Sequence, residues 1–249
     1  MRFLRVILDA DGTKIGALHG FYAETLGLAS AGDGAFGVGS TVLEFRPVAH
    51  GDPFYHFALR VPRNRFEAAL AWLGARAELL PDEETGRTTF DFTFWNAQAC
   101  YVRDPCSNIV ELIAHHELPE ETPGDGPFEG RELLGVCELG AAGPDVPAMA
   151  RALGSLGIEL WDGTVDEPGR LAFMGGRDGV LILAPLGRGW MPTGRPAEPH
   201  PVEALVAGGR EGEVVLPGTR HRVRTGPGLS TGSVPVSPCD RASGARSGT

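Results

Sequence analysis

One order of elements, strand then helix then about three strands, recurs along the 249 residues. An internal repeat of this kind narrows the architectures open to a chain more than any composition does. Three copies can be traced. The first opens with the apolar run Phe3 to Leu8. It continues into a helical segment whose Ile15, Leu18, Phe21, Tyr22 and Leu26 fall on one face and which Gly27 ends, and its strands close with GVGSTVLEFRPV. The second opens with YHFALRV. Its helix starts from Asn64, whose side chain is expected to cap it while Glu67 completes a capping box, and Phe66, Leu70 and Leu73 form the apolar stripe. LLPDEETGRTTFDFTF and NAQACYVRDPCSNIVELI then read as three more strands. The third copy has LLGVCEL, a helix capped by Asp145 that carries Val146, Met149, Leu153 and Leu156, and strands ending in GVLILAP. A fourth start, HPVEALVAG, is followed only by GEVVLPGTRHRVR and looks truncated.

A strand–helix–three-strand unit cannot cover its own sheet face, so units must pair around a shared core. The expected fold is α+β: paired βαβββ units forming curved, half-open barrel sheets, with helices outside and a cleft within that suits a small ligand. The acidic, Pro- and Gly-containing stretch HELPEETPGDGPFEGRE reads as an exposed linker. The expected division is therefore a two-unit N-terminal domain with the pocket over residues 1–116, a linker over 117–131 and a degenerate second domain over 132–228. A Ser-, Gly- and Pro-rich tail over 229–249 buries too little to repay its ordering entropy.

With 22 Lys and Arg against 32 Asp and Glu, the net charge of −10 disfavours nucleic acid and anionic membrane as partners. Arg5, Asp9 and Asp11 interrupt the first apolar run too early for a signal peptide, and no later run reaches membrane-spanning length. Cys100, Cys106, Cys137 and Cys239 show no C-x-x-C spacing, which fits ordinary thiols in a reducing compartment. These features lead us to expect a soluble cytoplasmic protein, monomer or homodimer, whose partner is a small molecule.

The segments MRFLRVIL, FYAETLGL, TVLEF, YHFALRVP and YVRDPCSNIVELI resemble the successive signatures of vicinal-oxygen-chelate proteins, the superfamily of glyoxalase I, extradiol dioxygenases and bleomycin- or fosfomycin-resistance proteins. The likeness covers residues 1 to 116 well and 132 to 225 faintly. The most specific piece is an Asp-Pro-x-x-Asn turn that runs into an apolar strand carrying one Glu, about fifty residues after a strand-initial His. The resemblance implies a divalent metal bound by inward-facing side chains from the first and last strand of each unit. Those positions are Arg5, Glu44, His56 and Glu111. Strand alternation agrees for Glu44, His56 and Glu111, which sit opposite the apolar neighbours Leu43 and Phe45, Phe57 and Leu59, and Val110 and Leu112 respectively.

Arg5 departs from that pattern, since a guanidinium has no lone pair to offer a metal. Two readings stay open. In one, Glu44, His56 and Glu111 hold a divalent ion (Zn, Fe, Mn, Ni or Co), and Glu44 or Glu111 is also the catalytic base. Arg5, Arg46 and Arg60 then clamp an anionic substrate group, and the chemistry is that of a lyase, isomerase or dioxygenase acting on a small oxygenated metabolite. In the other, no metal binds, Arg5 replaces its charge, and the protein sequesters a small molecule. Trp95, Asn96, Gln98 and Tyr101 are further candidates to line the pocket. His19 and His50 read as surface residues, and His115 and His116 end the Glu111 strand. Cys106 is expected to be exposed, and Ser107 strained if its turn needs a positive φ. In the second half, Gly135, Ile182 and Val202 are read at the positions of Arg5, Glu44 and His56, none of them a ligand. The GRGWMPTGRPAEPHP loop around Trp190 could cover a cleft.

Overall fold

The computed structural model describes residues 1–122 and 124–226 of the chain, so the tail expected over 229–249 lies outside the described residues. The first unit comprises β1 (Arg2–Asp11), α1 (Ile15–His19), which runs on as a π-helical turn (Gly20–Thr25), β2 (Ala29–Gly32), β3 (Ala35–Val38) and β4 (Thr41–Val48). The second comprises β5 (His56–Arg60), α2 (Phe66–Gly74), β6 (Phe90–Phe92), β7 (Ala97–Arg103) and β8 (Ile109–His115). The third comprises β9 (Gly135–Gly143), α3 (Val146–Ser155), β10 (Leu160–Gly163), β11 (Ala172–Gly176) and β12 (Gly179–Pro185). A short hairpin, β13 (Gly189–Trp190) and β14 (Arg195–Pro196), precedes the helix-free fourth unit of β15 (Val202–Ala207), β16 (Gly212–Val215) and β17 (Arg222–Gly226). None of the described helices is long and apolar enough to cross a membrane.

The βαβββ units and curved sheets expected from the sequence are present, but the units pair across the two halves. One seven-stranded sheet has the order β16-β17-β15-β1-β4-β3-β2, and one eight-stranded, curled sheet has the order β10-β11-β12-β9-β5-β8-β7-β6. Unit one thus joins the truncated unit four through β1 and β15, and unit two joins unit three through β5 and β9, both antiparallel. The sheets do not follow the division expected at residues 117–131.

The main core lies between one face of each sheet and the helices. It holds Phe3, Val6, Leu43 and Phe45 from the first sheet, Phe57, Leu59, Leu112 and Leu139 from the second, and Leu18, Leu73 and Leu153 from the helices. A second apolar cluster, with Ala58, Tyr101, Ile109, Ile113, Ile182 and Trp190, occupies the opposite face of the eight-stranded sheet. Period-two alternation therefore means different things in the two sheets. In the eight-stranded sheet both faces are covered, and β5, β8 and β9 are buried at every residue.

Residues 117–131 are not a loose tether. Asn64 exchanges two hydrogen bonds with the Thr122 backbone instead of capping α2, whose N-terminal flanking residue is Arg65, without a side-chain cap. Buried Arg65 binds the Glu132 carboxylate and the carbonyls of Gly124 and Gly126, while buried Phe128 meets Trp72 edge-on at 5.2 Å. The expected Asp145 cap is present, its carboxylate accepting from the Ala148 amide at 2.9 Å.

Candidate functional site

Strand β8 reaches the site through the Asp-Pro-x-x-Asn turn. Buried Asp104 accepts from the Cys106 and Asn108 amides, the Asn108 side chain and the Tyr22 hydroxyl at 2.7–3.0 Å, while Asn108 in turn accepts from the Tyr55 amide at 2.8 Å. Burial still pushes the Asp104 carboxyl up to about 6 against those hydrogen bonds. Ser107 has a positive φ (60°), the condition under which its turn carries strain. Cys106, expected at the surface, is 1% exposed, because the turn folds its side chain inward against the main core.

The turn sets the register in which β5 and β8 run parallel, His56 beside Ile109 and Ala58 beside Glu111. His56 and Glu111 then meet diagonally, Nε2 to Oε2 at 3.0 Å, both buried. On the other side of β5, Ala58 pairs with Glu138 of β9. The three polar side chains therefore approach one another over the small Ala58, and all three line a cavity of about 430 Å³.

Tyr101 adds a hydroxyl to that end of the cavity, and Phe92, Trp95, Leu171, Phe173 and Ile182 form its apolar walls. Trp190 lies over His56 with ring centroids 5.1 Å apart, and Gly140 makes room for it, since a Cβ there would stand 2.8 Å from the indole. The loop expected to cover a cleft thus places its Trp over the imidazole. The mouth carries Asp91, Asp162, Arg188 and the exposed apolar side chains of Phe94 and Met191.

Electrostatics here are governed by dryness. Burial lowers His56 to about 4, with Glu138 acting the other way, so the imidazole is neutral. Burial raises Glu111 to about 8, against the Tyr101 hydroxyl beside it. Glu138 is raised to about 8 by burial and then by the charge of Glu111. His56 Nδ1 and Glu138 Oε1 are buried without a hydrogen-bond partner. A neutral imidazole and two carboxyls form a mixed N/O donor set that fits a divalent cation, whose charge would let both acids ionise. As placed, no group of three His, Cys, Asp or Glu side chains among the described residues surrounds one metal-sized point.

The four positions proposed from the sequence do not converge. Arg5 and Glu44 lie on the outer face of the seven-stranded sheet and pair with each other, Nε to Oε2 at 2.9 Å. Arg46 is on the same face, bound to Asp9 at 2.8 Å and Glu203 at 2.6 Å. Arg5 is therefore not a charge substitute beside His56, and Glu44 is neither a base nor a ligand there. Unit one shares its sheet with unit four and not with unit two, so its inward positions face a different space. Arg60 follows His56 and Ala58 on the same strand face but turns to Asp178 and Glu120. Gln98 points from β7 to the side opposite Tyr101 and binds Asp91 and His116. Asn96 adopts the left-handed conformation that ends the turn before β7.

Glu138 is the residue that sequence reading missed. Aligning strand starts puts Gly135 at the ligand position, and strict alternation then turns Glu138 away. The pairing of β5 with β9 shifts by one residue between Glu138 and Val136, and this bulge breaks the alternation. A usable signal was nonetheless present, because Glu138 is the single charged residue in Gly135–Gly143.

No protein-family model matches the chain, and no curated protein matches it in sequence. Solved structures do match in fold. A structure described as a putative dioxygenase from Bacillus subtilis is 16% identical with a TM-score of 0.54, covering 90% of this chain and 85% of its own. A glyoxalase I mutant from Zea mays is 16% identical with a TM-score of 0.50, covering 82% and 75%. The chain has the fold of the vicinal-oxygen-chelate proteins.

Proposed function

We propose that the cavity of the eight-stranded sheet binds a small oxygenated metabolite and acts on it by lyase, isomerase or ring-cleavage chemistry, with His56, Glu111 and Glu138 as the residues that would hold a divalent cation. The fold cannot name the reaction, because one fold hosts many. The observation that carries the reading is the set of one neutral imidazole and two carboxyls brought into one dry cavity from adjacent strands, with an orphaned atom on His56 and another on Glu138. The ion, Zn, Mn, Fe, Ni or Co, would polarise substrate oxygens. Glu111 or Glu138 would accept a proton from the bound molecule. Trp190 shields the His56 end from water, and the aromatic walls hold the apolar part of the ligand.

A competing reading is a metal-free binding protein. It is favoured by the 3.0 Å hydrogen bond between His56 and Glu111, which partners His56 Nε2 and Glu111 Oε2 without a cation. Calorimetric titration of chelator-stripped protein with Zn²⁺ and Mn²⁺ separates the two. We expect one ion per chain, with binding lost in His56→Ala and in Glu111→Gln. Absence of uptake by the unaltered protein overturns the metal reading and leaves the binder. With the metal bound, oxygen consumption on catechols against isomerisation of 2-oxoaldehyde adducts distinguishes ring cleavage from the other chemistries.

A further inference from the structure

Besides His56 Nδ1, three polar atoms on the adjacent strands β5, β8 and β9 are buried and unpartnered: Arg60 Nε, His115 Nδ1 and Glu138 Oε1. Their residues are 8%, 3% and 3% exposed. Buried polar groups in native proteins are almost always satisfied, so three unmet atoms in one neighbourhood call for a common explanation. His115 lies four residues beyond Glu111 on β8 and so faces the same side of the sheet. Its Nε2 stands 4.0 Å from Glu138 Oε1. Arg60 is on the adjacent strand β5, where it pairs with Ile113, two residues before His115. Its terminal nitrogens turn to Asp178 at 3.3 Å and Glu120 at 3.4 Å, which leaves Nε unused.

The unmet groups are complementary. Arg60 Nε is a donor and Glu138 Oε1 an acceptor, and an imidazole carrying one proton offers one acceptor and one donor between them. We propose that His115 is a positioning residue, which accepts from Arg60 Nε at Nδ1 and donates from Nε2 to Glu138 Oε1, so that the carboxylate is held toward His56 and Glu111. This chain fixes the His115 tautomer as Nε2–H. It deepens the proposed function by adding the partner that orients one of the three site carboxyl or imidazole groups, and it rests on that reading only for its effect on metal affinity. Outer partners of this kind typically change metal affinity by about 10–100-fold when removed.

The test has two readouts. In metal-free protein labelled with ¹⁵N-histidine, the His115 signal is assigned by its loss in His115→Gln. Long-range ¹H–¹⁵N spectra should show the Nε2–H tautomer, and its shifts should move in Glu138→Gln. An Nδ1–H tautomer, or shifts indifferent to Glu138→Gln, overturns the proposal. In Zn²⁺ titrations, His115→Leu should weaken binding about 10–100-fold, and His115→Gln, which keeps a donor, should recover most of it. Equal affinity in His115→Leu and the unaltered protein also overturns it. If the unaltered protein takes up no Zn²⁺, the metal reading fails by itself and the tautomer still decides whether His115 donates to Glu138.

Discussion

Glu111 and Glu138 face each other across a single alanine, and two acids in one dry space cannot both stay ionised without a cation. Each is raised to about 8, above the usual carboxylate range. A carboxyl raised on folding contributes stability that is fully present below its unfolded pKa and is lost as pH rises through the folded value. His56 and His115, both lowered to about 4, act oppositely, but only below the ordinary histidine pKa of about 6.5. Between about pH 6.5 and 8 the carboxyls are left alone. Metal-free protein should therefore lose stability over that window in denaturant titrations, and Glu111→Gln should flatten the loss. An unchanged slope in Glu111→Gln would show that Glu111 is not the group titrating. Residue chemistry of this kind was half legible in the chain: a strand-initial His and a Glu in an apolar strand identify themselves, whereas Glu138 was hidden by a bulge that no periodicity reveals.

The elements that hold the site in place are the turn before β8 and the segment after it. Residues 117–131 read as a linker because they are acidic and rich in Pro and Gly, yet they wrap the start of α2 and reach unit one. A Cβ on Gly130 would stand 1.9 Å from the Leu26 carbonyl oxygen, so only glycine permits that approach. Gly130→Ala should cost about 1–3 kcal/mol in equilibrium unfolding, through displaced backbone. A variant as stable as the parent would show that this contact is dispensable. The Asn64 capping box failed as an expectation for the same tertiary reason: the Asn64 side-chain NH2 donates to the Thr122 carbonyl and its oxygen accepts from the Thr122 amide, and α2 forms without them because Phe66, Ala69, Trp72 and Leu73 are buried against the core.

At the scale of the whole molecule, each sheet is completed by a unit from the other half of the chain. Cutting within residues 117–131 would strip β15 from β1 and β9 from β5, and expose long unpaired edges. Fragments 1–122 and 132–249 expressed separately should lack cooperative thermal unfolding and should regain it on mixing. A fragment that melts cooperatively alone would show that a half chain can close its own sheet. The sequence by itself determined the repeat, the element order within each unit, the His56–Glu111 pair and the turn that registers it, because these depend on local periodicity and short-range hydrogen bonding. Only the tertiary structure decided which units share a sheet. That choice sent Arg5 and Glu44 to an outer face and brought Glu138 and Trp190 to His56 and Glu111, because strand pairing between distant segments is selected by the burial of whole faces and leaves no trace in local spacing.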